Sequence, residues 1–309
     1  MPDKILPRLS IRQGITADFP LVKQICADVN GGNDYIPEVW EEWINNPQNL
    51  AFIVEMDRQP AGLYFLRLGV AGLTTGWLQG VRVSSAFRKQ GLAGYILEEA
   101  IRQSRELGMC YLQYVTAQEN RPMHRLAEIN GFWPVGNFLI YTYQRVNETL
   151  RSSMACRLVT TSEFDEAYRM LLDSAEHQLA HGIYCNTWGW KPLSIDTFRQ
   201  HLERREVYTL TGALKVLAIM HRAEDNSYWI SFLAGNTASR LHLLSELTRK
   251  VTKNVPAGQP LELMAQLVQS PANEKILTQA GFEPDNPEPV MTLYELKLDN
   301  HRKDPDLLT

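Results

Sequence analysis

Leu78-Gln79-Gly80-Val81-Arg82-Val83-Ser84-Ser85-Ala86-Phe87-Arg88-Lys89-Gln90-Gly91-Leu92-Ala93-Gly94 is the stretch that decides how this chain is read. A strand, Gly76–Val83, runs into a turn bearing Arg88-x-x-Gly91-x-Ala93. From Leu92 the apolar positions switch to helical spacing, at Ile96, Leu97, Ala100, Ile101 and Leu107. Gly91 permits an unusual φ or close backbone approach, and Ala93 leaves no bulky side chain in the way. The N–H groups of Arg88, Lys89, Gln90, Gly91, Leu92, Ala93 and Gly94 can then face one anion at a helix N-terminus, which suits a pyrophosphate. Taken alone the pattern is short, and small residues at a helix start also serve packing.

Working outward, Leu9–Gln13 reads as a strand, followed by a helix opening near Thr16–Asp18 and running to about Val29. Gly31-Gly32-Asn33-Asp34 breaks that helix, and Pro37 starts a shorter one carrying Trp40 and Trp43. Strands at Leu50–Met56 and Ala61–Leu68 precede the deciding stretch. After it come a strand at Cys110–Thr116, a short helix at Pro122–Asn130 stopped by Gly131, and an aromatic closing strand at Phe138–Gln144. The second half repeats this order. Arg12, Thr16 and Phe19 recur as Arg157, Thr161 and Phe164, and Asn130-Gly131-Phe132 recurs as Ala280-Gly281-Phe282. Two domains are therefore expected, 1–150 and 151–309, with their junction in the polar Asn147–Ser153 and a frayed tail after about Asn300.

At 309 residues the chain exceeds a domain of ~100–200 residues. Thirty-one basic and thirty-five acidic residues give a net charge of −4, and neither half has the positive excess of a nucleic-acid binder. No apolar run approaches the ~20 residues that cross a bilayer, and the N-terminus lacks a signal-peptide pattern. Cys26, Cys110, Cys156 and Cys185 are scattered, which fits thiols in a reducing compartment. His177 and His181 have the spacing of a metal pair but no accompanying third ligand, so no metal is expected. A cytoplasmic protein without nucleic-acid or membrane partners is the expectation, and a homodimer is compatible with it.

The strand with Val81 and Val83, the Arg88-x-x-Gly91-x-Ala93 turn, the helix, the next strand and Asn130-Gly131-Phe132 together resemble the GCN5-related N-acetyltransferase (GNAT) superfamily. The resemblance covers residues 9 to 145, with a weaker one over 155 to 297. It implies an α+β protein with a tandem acyl-CoA N-acyltransferase fold, each copy a twisted mixed sheet flanked by helices. It also implies acetyl-CoA as cosubstrate and direct acetyl transfer to an amine. Carried onto this chain, it places Gly80, Val81, Arg82 and Val83 at the acetyl and pantetheine groups, and Asn120 near the pantetheine. Gly80 suits a bulge on physical grounds as well. The second copy has Ala234-Gly235-Asn236-Thr237-Ala238-Ser239-Arg240 in place of the loop, so it is expected to be degenerate and to bind no acetyl-CoA. Asp34-Tyr35-Ile36-Pro37 with Trp43, and Gly80-Val81-Arg82-Val83, are similar to the histidine N-acetyltransferase-like branch. There Gln79 stands in place of a Glu. A free amino acid is thereby implied as the small-molecule amine.

The chemistry needs a neutral amine, stabilisation of an oxyanion, and a proton for the departing thiolate. Many relatives carry an acidic Tyr where this chain has Ala127. The substitutes are His124, Tyr141 and Tyr143, against plainer roles as a surface His and as aromatic packing. Gln79 cannot take a proton, so a base on that strand would be a water it holds. Asn120 serves equally well as a turn or N-cap residue. Cys110 reads as core rather than as a nucleophile. Asp34, Tyr35 and Trp40 are the candidate acceptor residues; the alternatives are a helix break for Asp34 and a buried helix face for Trp40 and Trp43. Tyr184–Trp190 reads as an aromatic loop, either over the first domain's acceptor site or buried in a domain interface. Two rival functions remain: transfer to a peptide or protein amine, and a non-catalytic acyl-CoA-responsive module.

Overall fold

The computed structural model describes residues 8–69, 74–144, 154–224, 226–255, 261–285 and 289–298. The polar junction Asn147–Ser153 and the tail beyond Asn300 lie outside them. The chain forms two compact units: the first takes residues 1–115, 122–133 and 294–309, the second 116–121 and 134–293.

The first unit is built from β1 (Leu9–Gln13), α1 (Phe19–Cys26), α2 (Ile36–Asn45), β2 (Asn49–Met56), β3 (Gln59–Leu68), β4 (Thr75–Val83), α3 (Leu92–Glu106), β5 (Tyr111–Ala117, through Val115) and α4 (Arg121–Ile129, from Pro122). Strands β1 to β4 are antiparallel in chain order, and β5 joins β4 in parallel. Alternation along the strands gives each face its own core. On β3, Leu63 and Phe65 face α1 and α2, with Val22, Ile25, Ile36 and Trp40. Tyr64 and Leu66 face the other way, with Leu92, Ile96, Ala100, Leu112 and Ala127. The first helix is shorter than its sequence suggests. It ends at Cys26, and a turn at Val29–Gly32 follows in which Gly31 and Gly32 have φ of +66° and +92°.

This unit is completed from the far end of the chain. Tyr294 and Leu298 are buried in the α3–α4 core. The Leu298 N–H donates to the Cys110 carbonyl at 2.8 Å, and Gln113 Nε2 donates to Glu295 Oε2 at 2.5 Å.

The second unit contains β6 (Trp133–Tyr143, from Pro134), β7 (Cys156–Leu158), α5 (Phe164–Leu172), α6 (Ala175–Leu179), β8 (Ile183–Asn186), β9 (Gly189–Pro192), α7 (Ile195–Glu203), β10 (Val207–Leu210), β11 (Val216–Glu224), β12 (Ser227–Gly235), α8 (Thr237–Asn254), β13 (Glu262–Val268), α9 (Pro271–Gln279), β14 (Phe282–Pro284) and the start of β15 (Val290–Lys297). Its strands run β6-β13-β12-β11-β10-β7, with β14 also on β6. The aromatic strand expected to close the first copy is here instead. Leu139 and Tyr141 stand opposite Leu267 and Ala265 and are buried with Leu263, Ile230 and Phe282. The compact units therefore do not divide at residue 150: each takes the closing strand, or its end, from the other copy's stretch of sequence.

The sequence repeat has a side-chain counterpart at the start of each half. Arg12 grips Asp18 with two N–H groups, at 2.8 and 2.7 Å, and Asp18 accepts the Ile15 N–H at 2.8 Å. Arg157 grips Glu163 in the same way, at 2.8 and 2.7 Å, and Glu163 accepts the Thr160 N–H at 2.9 Å. The Arg157 guanidinium, followed by that backbone N–H, holds the Glu163 carboxyl down at about 2. The aromatic loop Tyr184–Trp190 is a hairpin, β8–β9, within the second unit. Thr187 and Trp188 take φ of +52° and +60° at its tip, Trp190 packs edge-on to Phe138, and Trp188 meets Trp229.

Candidate active site

In the first unit, β4 and β5 pair only at Thr75–Tyr111, Gly76–Leu112 and Trp77–Gln113. Beyond that pair β4 runs six residues further, to Val83, and β5 no longer matches it. On its other side β4 skips register. Leu63 faces Arg82 and Phe65 faces Gln79, so Gly80 and Val81 together oppose Tyr64. Gly80 sits at φ +63°, the left-handed first residue of a bulge. A Cβ there would lie 3.0 Å from Ile36 Cδ1 and 3.1 Å from Phe65 Cδ2, so close packing adds to the conformational preference for glycine. The bulge re-aims the backbone where the strands part. Val81 and Val83 pack towards α3, while Gln79 and Arg82 share the face of Leu63 and Phe65.

The strand ends in the expected turn. Lys89 and Gly91 have φ of +61° and +84°, and Gly91 is the N-cap of α3. Arg88 folds back on the turn, Nε donating to the Val83 carbonyl at 3.2 Å, and Gln90 Nε2 donates to the Ala86 carbonyl at 3.1 Å. No side chain caps α3. The N–H groups of Leu92, Ala93 and Gly94 in its first turn have no helical acceptor, and they sit at the positive end of the helix dipole. Leu92 is buried, and a Cβ on Gly94 would touch Leu126 Cδ2 at 3.4 Å, so small residues here also bring α3 close to α4. The cradle fits a pyrophosphate.

Of the three acceptor candidates, Asp34 and Trp40 are engaged within the protein and Tyr35 is exposed. Asp34 is buried and holds Arg82: Nε to Oδ2 at 2.6 Å and Nη2 to Oδ1 at 2.8 Å, with the Ile36 N–H on Oδ1 at 3.2 Å. Its oxygens are committed within the protein, so it is not free to take a substrate ammonium. Burial pushes the Asp34 carboxyl up, but the hydrogen bonds and charge of Arg82 outweigh it, leaving the group below the usual carboxylate range. Burial and the neighbouring Asp34 push the Cys26 thiol up to about 12. Trp40 is 1% exposed inside the α1–α2 core. Tyr35, at 45% exposure, is the open aromatic. The Arg82 Cζ lies 5.2 Å from its ring centroid, and Trp43 meets it edge-on at 6.1 Å.

Asp34→Ala leaves a half-buried guanidinium without its carboxylate, and the loss should cost about 3 kcal/mol, the lower end for a buried pair. The contribution of a depressed carboxyl is present above its unfolded pKa of ~3.9 and disappears as pH falls through its lower folded value. Urea midpoints of the parent and Asp34→Asn should therefore differ strongly at pH 7 and converge in acid. Equal midpoints at pH 7 would contradict the pairing.

Of the proton-transfer candidates, Tyr141 is a core residue of the second unit, and burial pushes its phenol up. Asn120 belongs to that unit too, its amide donating to Thr116 Oγ1 at 3.0 Å. His124, on α4 of the first unit, has Nδ1 2.8 Å from the Tyr294 hydroxyl. Tyr294 went unread in the sequence. It lies near the chain's end, with no spacing to tie it to His124.

The second unit has the same parting of strands, since β12 and β13 pair only through Ile230–Ala265. There Phe138, Ile183 and Tyr184 line the gap beside Ser231 and Leu267. Asn236 caps α8, accepting the Ser239 N–H at 2.9 Å, and Arg240 is buried against Glu176 and Asn273. The start of α8 is thus capped by a side chain, whereas that of α3 is not.

Among the described residues no three His, Cys, Asp or Glu side chains converge, and no helix is long and apolar enough to cross a membrane.

Residues 12–132 match the sequence model of the Acetyltransferase (GNAT) family. No curated protein matches the chain. The fold of the whole chain is similar to a GCN5-related N-acetyltransferase from Sphaerobacter thermophilus, with TM-score 0.63 and 14% identity over 96% of this chain and 97% of that one. It is also similar to the glucosamine N-acetyltransferase region of a fungal multi-domain GH3 β-N-acetylglucosaminidase, with TM-score 0.61 and 10% identity over 95% of this chain and 38% of that one. The bulged, parting strand and the uncapped helix lie inside residues 12–132, the segment that matches the acetyltransferase (GNAT) family model.

Proposed function

We propose that the first unit transfers an acetyl group from acetyl-CoA to the primary amine of a small molecule such as an amino acid. The observation that carries this reading is a pairing of two features in one unit. A strand pair opens beyond Trp77–Gln113, and the uncapped N-terminus of α3 follows on the same strand. Backbone N–H groups from Lys89 to Gly94 would hold the pyrophosphate, and the bulged stretch Gly80–Val83 would lie along the pantetheine and acyl group. Acetyl-CoA supplies an activated acyl carbon.

The protein supplies position. β4 sets the acyl group, Tyr35 and Trp43 wall the side from which an amine approaches, and Arg82 fixes that wall to the strand through Asp34. Gln79 faces the same side and can hold a water that receives the amine's proton. The second unit is assigned no acetyl-CoA, because Asn236 already occupies its helix cap.

A second reading is favoured by Ala127 and Gln79, which stand where relatives carry an acid and a base: binding of acyl-CoA without turnover. Thiol release from acetyl-CoA, measured with a panel of amino acids, polyamines and short peptides, separates them. Release with an amino acid is expected. CoA binding without release for any amine would sink the catalytic reading, and release only with peptides would move the acceptor class.

A further inference from the structure

We infer that Tyr294, delivered to the first unit by the last strand of the chain, is the proton donor of the transfer site, with His124 returning its proton. The inference rests on the acetyl-transfer reading above and adds the acid that the α4 sequence lacks.

The placement is specific. Tyr114 is the first residue of β5 beyond the last β4–β5 pair, so it stands where the strands part. The Tyr294 ring stacks on it with centroids 5.5 Å apart and planes 23° from parallel. Tyr114 is itself fixed, its hydroxyl donating to the Met123 carbonyl at 3.2 Å. The Tyr294 hydroxyl meets His124 Nδ1 at 2.8 Å, and the rings are 5.7 Å apart. Tyr294 lies in the core cluster that also holds Leu92, the first residue of α3, and Ala127, with Val81 of the bulge packed against it. The Tyr294 ring thus shares one core with the first residue of α3, the bulged strand and β5. The position on α4 where relatives keep a tyrosine is a fully buried alanine in that same core.

The facing titratable groups are Tyr114 from β5 and His124 and Glu128 from α4. Burial, helped by Glu128, pushes the Tyr294 phenol up, so it keeps its proton at neutral pH, as a donor must.

The proton account closes. The amine nitrogen bonds to the acyl carbon, and the carbon–sulfur bond breaks with its electron pair going to sulfur. Sulfur takes the Tyr294 proton. The phenolate recovers one from His124 Nδ1, and the imidazole recovers one from water. The attacking nitrogen releases one proton to water, so nothing is oxidised or reduced and no net proton is consumed.

A plainer role, in which the ring only packs against Tyr114, makes different predictions. In the full-length protein, Tyr294→Phe keeps the ring and should leave the calorimetric Kd for CoA within about twofold. It should lower kcat for thiol release roughly 100-fold, the scale of a lost general acid. In ligand-free protein the NMR signals of the His124 imidazole should move in that variant, which reads the contact without turnover. Replacing Tyr294 by a fluorinated, more acidic tyrosine should restore activity and move the alkaline limb of the pH–rate profile down by the difference in phenol pKa. Parent activity with an unchanged Tyr294→Phe kcat, or a limb that does not follow the fluorinated residue, overturns the inference alone. A parent that releases no thiol with any amine takes the acetyl-transfer reading down first, and the inference with it.

Discussion

Gly91→Glu is expected to remove CoA binding from the full-length protein, raising Kd at least ~100-fold, or about 2.7 kcal/mol. Two effects combine. Gly91 holds φ +84°, a conformation that costs an L-residue roughly 1–2 kcal/mol. The glutamate also brings a negative charge to N–H groups whose ligand is a pyrophosphate, at the end of α3 where the helix dipole is positive. Space is not the obstacle, because a Cβ at Gly91 meets nothing within 4 Å. Gly91→Asn, which tolerates the left-handed conformation, should therefore retain most of the affinity, and Gly91→Ala should fall between the two. Calorimetric titration with CoA ranks the three. If the glutamate variant bound within threefold of the parent, the anion cradle would lie elsewhere.

The second large effect concerns the whole chain. A fragment of residues 1–150 should not fold cooperatively, although it contains every element that the sequence assigns to the first copy. Its compact unit draws Tyr294 to Leu298 from the chain's end, where Tyr294 and Leu298 are buried and the Leu298 N–H bonds to the Cys110 carbonyl. Without them, Tyr114, Leu112 and Phe132 lose their cover, and β5 loses a neighbour. The fragment would also carry β6, whose Leu139 and Tyr141 belong in the other unit's core. Circular dichroism melts should show a sharp transition for the full chain and a broad one, or aggregation, for the fragment. A fragment that melts sharply and binds CoA would show the exchanged strands to be dispensable.

How much of this was legible in sequence depends on the range of the contact. The turn could be read because its determinants are local: Gly91 at a left-handed φ, Gly80 at a bulge, and a switch of apolar spacing at Leu92 all fall within fifteen residues. The repeat of Arg12 and Arg157 was legible as a pattern. Its cause, a guanidinium gripping the acid at the third residue of the following turn, was not. Asp34 and Arg82 were both marked, for separate roles. Forty-eight positions separate them, and nothing in the spacing says that one neutralises the other. Trp40 and Trp43 lie on neighbouring faces of one helix turn, yet only burial distinguishes the core residue from the one at the wall. The aromatic closing strand is read into the first copy for the same reason. Phe138–Gln144 is a short apolar strand, and alternation specifies a buried strand without naming the sheet that buries it. Tyr294 could not be found at all, because its partners lie 170 and 180 positions away in the chain.

The central claim is that one fold occurs twice and only the first copy keeps the cosubstrate cradle. Titrating the full-length protein with CoA in a calorimeter tests it directly. One site per chain is predicted, lost in Gly91→Glu and untouched by Asn236→Ala at the capped helix of the second unit. Two sites per chain, or a single site that survives Gly91→Glu and disappears with Asn236→Ala, would contradict it.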